Sequence, residues 1–368
     1  MKTGKRILFF VPLPPPVTGA ALRNKSLLDS TALRECFDIE VIPFNFADSV
    51  EDIGHFSIKK AFKGILRFFQ IFIAVVRFRP HLVYFNFSLY GFALYRDTVY
   101  VGLFKLLRCR LLFHLRTQGV QQQIEASDFK RRMFRFVFKE TYVICLSKHL
   151  CSDIRNVFKS VPFVVSNGIE DVSSRYPAVR REQSEVTKIL FIGHLLKSKG
   201  VLDLIDALKM LSDRRIDFHA EIVGAEGDLK ITDLKSMLTN LHLERRVSIE
   251  GVKLGDEKYR LLRNADLFVL PTLWEAFPGV ILEAMQFSLP VVATREGAIP
   301  EIVDDGETGL LVEKHQIAEL ADKLQLLIED PVLRRTLGQK GRQKFESKYV
   351  LNQFESNMKN IFAEVLGV

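Results

Sequence analysis

Short, almost wholly apolar runs recur along the chain, each separated from the next by enough sequence for a helix. RILFFV at 6, DIEVIPF at 38, HLVYFNF at 81, CRLLFHL at 109, TYVICLS at 141 and PFVVSNG at 162 form a first series. Runs that are apolar at successive positions predict strands buried on both faces, and their alternation with helices predicts a parallel sheet with crossover connections. The polar stretch EDVSSRYPAVRREQSEV at 170–186 holds a proline and no periodicity, which reads as a linker. The pattern then restarts with TKILFIG at 187, DFHAEIVG at 217, RVSIEG at 246, ADLFVLP at 265, LPVVAT at 289 and TGLLV at 308. Helical patterns such as GVLDLIDALKMLSDR and IAELADKLQLLIED lie between them. The expected fold class is therefore α/β, with one parallel-sheet domain over 1–170 and a second over 183–348. Two such domains are expected to leave a cleft between the carboxyl ends of their strands, where open α/β folds place ligands.

Length agrees, since a chain of 368 residues that is 48% hydrophobic exceeds what one core usually serves. Charge adds an asymmetry. Residues 1–180 hold 27 Lys and Arg against 14 Asp and Glu, while the remainder holds 25 against 30. A basic first half facing something anionic, such as a membrane surface, and a basic surface that is merely solvated both fit this. The four cysteines, Cys36, Cys109, Cys145 and Cys151, lack metal-ligand spacing and fit a reducing cytosol. The opening MKTGKRILFFVPLPPP is too short and too proline-broken in its apolar run for a secretory signal. ILRFFQIFIAVVRF at 65–78 carries Arg67, Gln70 and Arg77 and falls short of the roughly 20 apolar residues of a membrane span.

The chemistry concentrates in PTLWEAFPGVILEAM at 271–285. ADLFVLP predicts a buried strand, Pro278 fits the first helical position, and the helix runs on through GVILEAMQF. The unspent N–H groups around Gly279, Val280 and Ile281, with the helix dipole, predict an anion site suited to phosphate. Glu275 in the loop and Glu283 on the first turns offer carboxylates to vicinal hydroxyls on either side. FIGHLLKSKG at 191–200 adds Gly193 for a tight turn, with His194 beside it, and Lys199 at a strand-to-helix turn, where a lysine can neutralise a pyrophosphate. Read singly, Glu275 and Glu283 are also ordinary surface charges, and Lys199 an ordinary turn residue.

Taken in order, FIGHLLKSKG and PTLWEAFPGVILEAMQFSLPVVATREGAIPEIVDDGETGLLV resemble the retaining glycosyltransferases of family four, over roughly a third of the chain. The resemblance implies the GT-B fold of two facing Rossmann-like domains with an interdomain cleft. It implies Lys199 on the donor diphosphate, Glu283 on the nucleotide ribose, Glu275 near the donor sugar, and backbone amides from Phe277 to Ile281 on sugar and phosphate. His194 stands where the family usually has arginine, a weaker and pH-dependent cation. PLPPPVTGAAL resembles the family's glycine loop and makes Gly19 a donor-side and Thr18 an acceptor-side candidate, although Ala20 replaces a common second glycine. LLFHLRTQG gives His114 as a catalytic candidate close to the transferred sugar, with Arg116 on the acceptor side. VICLSKHL and VVSNGIE are read as structural elements. KYVLNQFESNMKNIFAEVLGV resembles the family's returning helix, so residues from about 349 to 368 are expected to rejoin the first domain.

The activity implied is hexosyl transfer, with retention, from a nucleotide-diphosphate-sugar to an acceptor hydroxyl. Donor-binding candidates are Gly19, Gly193, His194, Lys199, Glu275, Phe277, Gly279, Val280, Ile281 and Glu283, with Lys199, Glu275 and His114 the catalytic ones. No Asp-x-Asp motif stands where a donor metal would be held, so no metal and no cofactor is expected. Expected partners are the donor sugar nucleotide and a glycan or lipid-linked glycan acceptor, in surface polysaccharide or glycolipid assembly. HFSIKKAFKGILRFFQIFIAVVRFRP at 55–80 mixes cations with Phe and Ile. Such a segment fits either a helix seated on an anionic membrane, hence a cytoplasmic protein peripheral to its inner face, or a buried helix with a basic outer face. Rival readings are a nucleotide-sugar 2-epimerase on the same fold and a non-enzymatic basic binding protein. No nucleic-acid-binding module is recognisable.

Overall fold

The computed structural model describes residues 3–15, 18–44, 58–177 and 186–368. Positions 16 and 17 of the first glycine loop, the start of the 55–80 segment and linker residues 178–185 lie outside the described residues. The chain divides into two compact units, Met1–Gly168 with Asn352–Val368, and Ile169–Leu351. Among the described residues no helix is long and apolar enough to cross a membrane.

The first unit carries six parallel strands: β1 (Arg6–Val11), β2 (Asp38–Pro43), β3 (Leu82–Phe85), β4 (Leu111–His114), β5 (Tyr142–Cys145) and β6 (Phe163–Val164). Their order is β2-β1-β3-β4-β5-β6. The chain leaves β1 in one direction and returns to its other side for β3, so the topological switch lies between β1 and β3, where such sheets gather ligand-binding loops. Phe10 pairs with Phe85 and Phe85 with Phe113, with ring centroids 4.8 and 5.8 Å apart. β3 and β4 are buried throughout, and β1 and β5 beyond their first residue, as the apolar runs predict, whereas the short edge strand β6 leaves Val164 exposed. β2 differs: as an edge strand it leaves Asp38, Glu40 and Val41 partly or wholly exposed, because nothing pairs with its outer side. From the helix Leu351–Leu366, Phe362 packs 5.8 Å from Phe9 and 5.4 Å from Tyr84.

The second unit carries β7 (Thr187–Ile192), β8 (Phe218–Val223), β9 (Val247–Glu250), β10 (Leu267–Leu270), β11 (Val291–Thr294) and β12 (Gly309–Val312). Again all are parallel, in the order β12-β11-β10-β7-β8-β9. The switch here falls between β7 and β10, whose carboxyl ends hold the loops singled out in the sequence. The unit begins earlier than the expected linker would place it. Val172 N–H donates to Gln286 Oε1 at 3.0 Å, and the Arg342 guanidinium grips the Asp171 carboxylate, so residues 169–173 are built into this unit.

Candidate active site

Two glycines let the loops at the β7–β10 switch meet. Gly200 closes the turn Lys197–Lys199 with φ +71° and opens the helix Val201–Asp213. A Cβ there would lie 1.8 Å from the Pro271 carbonyl oxygen, so only glycine permits this approach. Leu273 N–H and Trp274 N–H then both donate to Ser198 O, at 2.8 and 3.2 Å. On the far side Gly297, at φ +51°, has its missing Cβ only 2.0 Å from Glu275 O, and Ala298 N–H donates to Ala276 O at 2.8 Å. The 272–277 loop is thus clamped from both flanks.

That clamp brings Lys199 and Glu275 together. Lys199 Nζ lies 2.6 Å from Glu275 Oε2 and donates to Trp274 O at 3.3 Å, while Ala276 N–H donates to Glu275 Oε1 at 3.0 Å. Both side chains are about one-fifth exposed, so the pair stays open to a ligand. Behind them stands Glu296, almost fully buried and ion-paired to Lys314.

The helix Gly279–Gln286 follows. Pro278 precedes the first helical residue instead of occupying it, and its carbonyl accepts from Ile281 N–H at 3.1 Å. The expectation of a free N–H at Ile281 is therefore corrected: the short turn after Pro278 consumes it. Among the described residues no partner is recorded for the N–H groups of Gly279 and Val280, no side chain caps the helix, and nothing lies within 4 Å of where a Gly279 Cβ would stand. Phe277 and Ile281 bury their side chains and can offer only backbone. Glu283, mostly buried, meets Lys258 at 2.7 Å through Oε1, and its Oε2 is buried without a partner. Gly193 follows β7 with its N–H bonded to Val223 O at 3.0 Å, and His194 beside it is exposed.

A separate group of candidates lies in the first unit. His114, at the end of β4, is fully buried; Nδ1 lies 2.7 Å from Tyr84 Oη, and Nε2 is buried with no partner. Burial, and then the nearby Arg116 charge, hold its pKa well below the usual histidine value, so the ring is neutral. Arg116 donates through Nη1 to Asn167 Oδ1 at 2.6 Å and through Nη2 to Tyr84 Oη at 3.3 Å. Asn86 Nδ2 donates to His114 O at 3.3 Å. Thr18 caps the helix Gly19–Asp29, its Oγ1 accepting from Ala21 N–H at 3.1 Å, and Gly19 is exposed with open space around it.

The sequence-derived candidates thus fall into two constellations, Lys199 and Glu275 with the Gly279 helix start, and His114 with Arg116. Lys258, Glu296, Tyr84 and Asn167 complete them and were missed or read as structural, because each joins its partner across tens of residues.

Residues 173–344 match the family model described as glycosyl transferases group 1. An uncharacterized glycosyltransferase of Methanocaldococcus jannaschii is 32% identical over 225 residues, 61% of this chain and 59% of that one. A D-inositol 3-phosphate glycosyltransferase of an Arthrobacter species is 38% identical over 152 residues, 41% of this chain and 36% of its own. The capsular polysaccharide biosynthesis glycosyltransferase CapM of Staphylococcus aureus is 31% identical, over 43% and 41% of the two chains. The matches thus span less than two thirds of these relatives' own length, from 36% to 59%. Among solved structures, sucrose-phosphate synthase of Thermosynechococcus elongatus superposes with a TM-score of 0.75 at 18% identity over 99% of both chains. Anabaena HepE, in complex with UDP and glucose, gives 0.72 at 19% identity over 98% of this chain and all of its own. These structural likenesses establish a GT-B fold.

Proposed function

We propose that this chain, whose residues 173–344 match the group 1 glycosyltransferase model, moves a sugar from a nucleotide-diphosphate-sugar donor to an acceptor hydroxyl with retention at the anomeric carbon. The observation that carries this reading is the uncapped start of the helix Gly279–Gln286, open to solvent and continuous with the loop that holds the Lys199–Glu275 pair.

The diphosphate takes the N–H groups of Gly279 and Val280 and draws Lys199 Nζ away from Glu275. Negative charge builds on the leaving diphosphate as the sugar becomes cation-like, so a preorganised ammonium and helix N–H groups lower the barrier. Glu275, released, accepts hydrogen bonds from the sugar, and Glu283 accepts one from the ribose through Oε2. Because Lys199 supplies the charge at the diphosphate, transfer is expected to proceed in EDTA. The acceptor is a glycan or lipid-linked glycan, a reading supported by the likeness to a capsular polysaccharide glycosyltransferase, and the place of action is the cytoplasmic face of a membrane.

A panel of UDP-, GDP- and dTDP-sugars tested for thermal stabilisation checks the donor, since a ligand that binds only the folded state raises its melting point. One nucleotide class is expected to stabilise the wild type, and Glu283→Ala to lose that shift. An undiminished shift removes Glu283 from the pocket. Rapid epimerisation of donor alone identifies a 2-epimerase instead.

A further inference from the structure

At the carboxyl ends of β3 and β4, Arg116 is a cation without a counter-ion. Its two side-chain partners, Asn167 Oδ1 and Tyr84 Oη, are both neutral, and no carboxylate of the described residues pairs with it. Its Nε is buried and bonded to nothing. Burial pushes its pKa down, and only the Tyr84 hydroxyl works against that shift, with no carboxylate contributing. Arg116 as a whole is half-buried and keeps part of its water, but its Nε does not, and a buried donor left unmade costs about 1–3 kcal/mol.

The hydrogen-bond directions fix a second unspent donor. A guanidinium can only donate, so Tyr84 Oη accepts from Arg116 Nη2. Burial raises the Tyr84 pKa, so the phenol keeps its proton. Among the described residues the one acceptor recorded within its reach is His114 Nδ1, at 2.7 Å. Tyr84 therefore donates to Nδ1, and the single proton of the neutral imidazole sits on Nε2, which is buried and unpartnered. Arg116 and His114 thus meet at Tyr84 Oη through one nitrogen each, and the Nε of the first and Nε2 of the second are both left without an acceptor, as Asn86 Oδ1 is left without a donor.

We propose that Tyr84, His114, Arg116 and Asn167 form a site for an oxyanion, a phosphate or carboxylate group carried by a substrate. Arg116 supplies the charge, and its Nε–H with the Nε2–H of His114 supplies the donors. Tyr84 is a positioning residue that sets the histidine tautomer. Only the identity of the molecule bringing the oxyanion rests on the glycosyl-transfer reading: it is the acceptor, since the donor diphosphate is assigned to the start of the helix Gly279–Gln286.

The test is calorimetric titration of the full chain with UDP, with GDP, and with sn-glycerol 3-phosphate in the presence and absence of whichever nucleotide binds, on the wild type, Arg116→Met and Tyr84→Phe. An acceptor oxyanion predicts that glycerol phosphate binds the nucleotide-loaded wild type, that Arg116→Met weakens it about tenfold or more, and that nucleotide affinity stays within about twofold. Tyr84→Phe is expected to weaken it about threefold and to move the proton of His114 from Nε2, read from its ring nitrogen resonances. If the phosphate ester fails to bind the loaded protein while Arg116→Met weakens the nucleotide tenfold, Arg116 serves the donor and the acceptor site is overturned. If neither nucleotide binds the wild type but the ester still depends on Arg116, the transfer reading fails and this one survives. Wild-type affinities for every ligand in both variants overturn it, as does the absence of any binding. Arg116→Met is expected to melt no lower than the wild type in phosphate-free buffer, since removing a buried donor left unmade relieves a cost; should it fail to fold, Tyr84→Phe alone decides.

Discussion

At the scale of single residues, the site is defined by groups with one valence satisfied and another left over. Glu283 is held by Lys258 through one oxygen, with both side chains less than one-fifth exposed. Removing one partner of such a pair strands the other charge, whereas removing both restores an apolar contact. Lys258→Met is therefore expected to lower the unfolding free energy by about 2–3 kcal/mol, reduced from the fully buried range because the pair retains some solvent. The double variant Lys258→Met/Glu283→Met is expected to recover most of that, as read by urea denaturation; additive losses would show that the pair is not coupled. His114 makes a pH prediction. Its folded-state pKa is depressed, so below about pH 6.5 the unfolded chain takes up a proton that the folded one refuses. Stability then falls with falling pH by about 1.4 kcal/mol per unit from this residue. His114→Gln is expected to remove that component, measured as the difference in urea midpoints between pH 7.5 and 5.5.

At the scale of elements, two glycines on neighbouring loops make opposite predictions. Gly200→Ala places a methyl group on the Pro271 carbonyl in a left-handed conformation. It is expected to cost about 3 kcal/mol or more, beyond the roughly 1–2 kcal/mol of the backbone conformation alone. Gly279→Ala meets open space and is expected to melt no lower than the wild type, yet to weaken nucleoside diphosphate binding about tenfold, because the methyl group fills the volume the phosphate needs. Thermal melts and calorimetry on the two variants separate these outcomes, and a Gly279→Ala protein with wild-type affinity would remove the phosphate from that helix start. The contrast also indicates what a sequence discloses. Runs such as LVYF and LFVL announce buried parallel strands because burial on both faces leaves no polar position. The edge strand Asp38–Pro43 is harder to place, since which strand ends a sheet depends on pairing order and not on its own residues. Lys199, Glu275 and Glu283 were legible because a strand end or helix start marks them locally. Lys258, Tyr84 and Asn167 were not, because their roles arise from partners 25, 30 and 51 positions away.

At the scale of the whole molecule, charge and exposed apolar surface coincide on one layer of the first unit. The helices Ile58–Phe78, Gly91–Leu106 and Asp128–Phe138 hold eleven Lys and Arg against two Asp. They pack side by side: Tyr100 Oη donates to Gly64 O at 2.9 Å, and Lys105 Nζ to Lys139 O at 2.7 Å while lying over the Phe136 ring. Yet Phe69, Ile73, Val99 and Phe129 on them are 59%, 61%, 58% and 65% exposed. Apolar side chains standing among cations match an anionic bilayer, which receives the former in its acyl boundary and attracts the latter with about 1 kcal/mol per charge near the surface. We predict that the chain co-sediments with vesicles containing phosphatidylglycerol and not with pure phosphatidylcholine, and that 1 M salt releases most of it by shortening the screening length to about 3 Å. Phe69→Ser/Ile73→Ser removes two apolar contacts worth about 1.5–3 kcal/mol each when fully buried, so even partial insertion predicts at least a tenfold loss of vesicle affinity with nucleotide binding intact. Equal partitioning onto both vesicle types, or binding indifferent to these two residues, would assign the layer to a solvated basic surface. In that case a lipid-linked acceptor would have to reach the protein without the protein docking on its membrane.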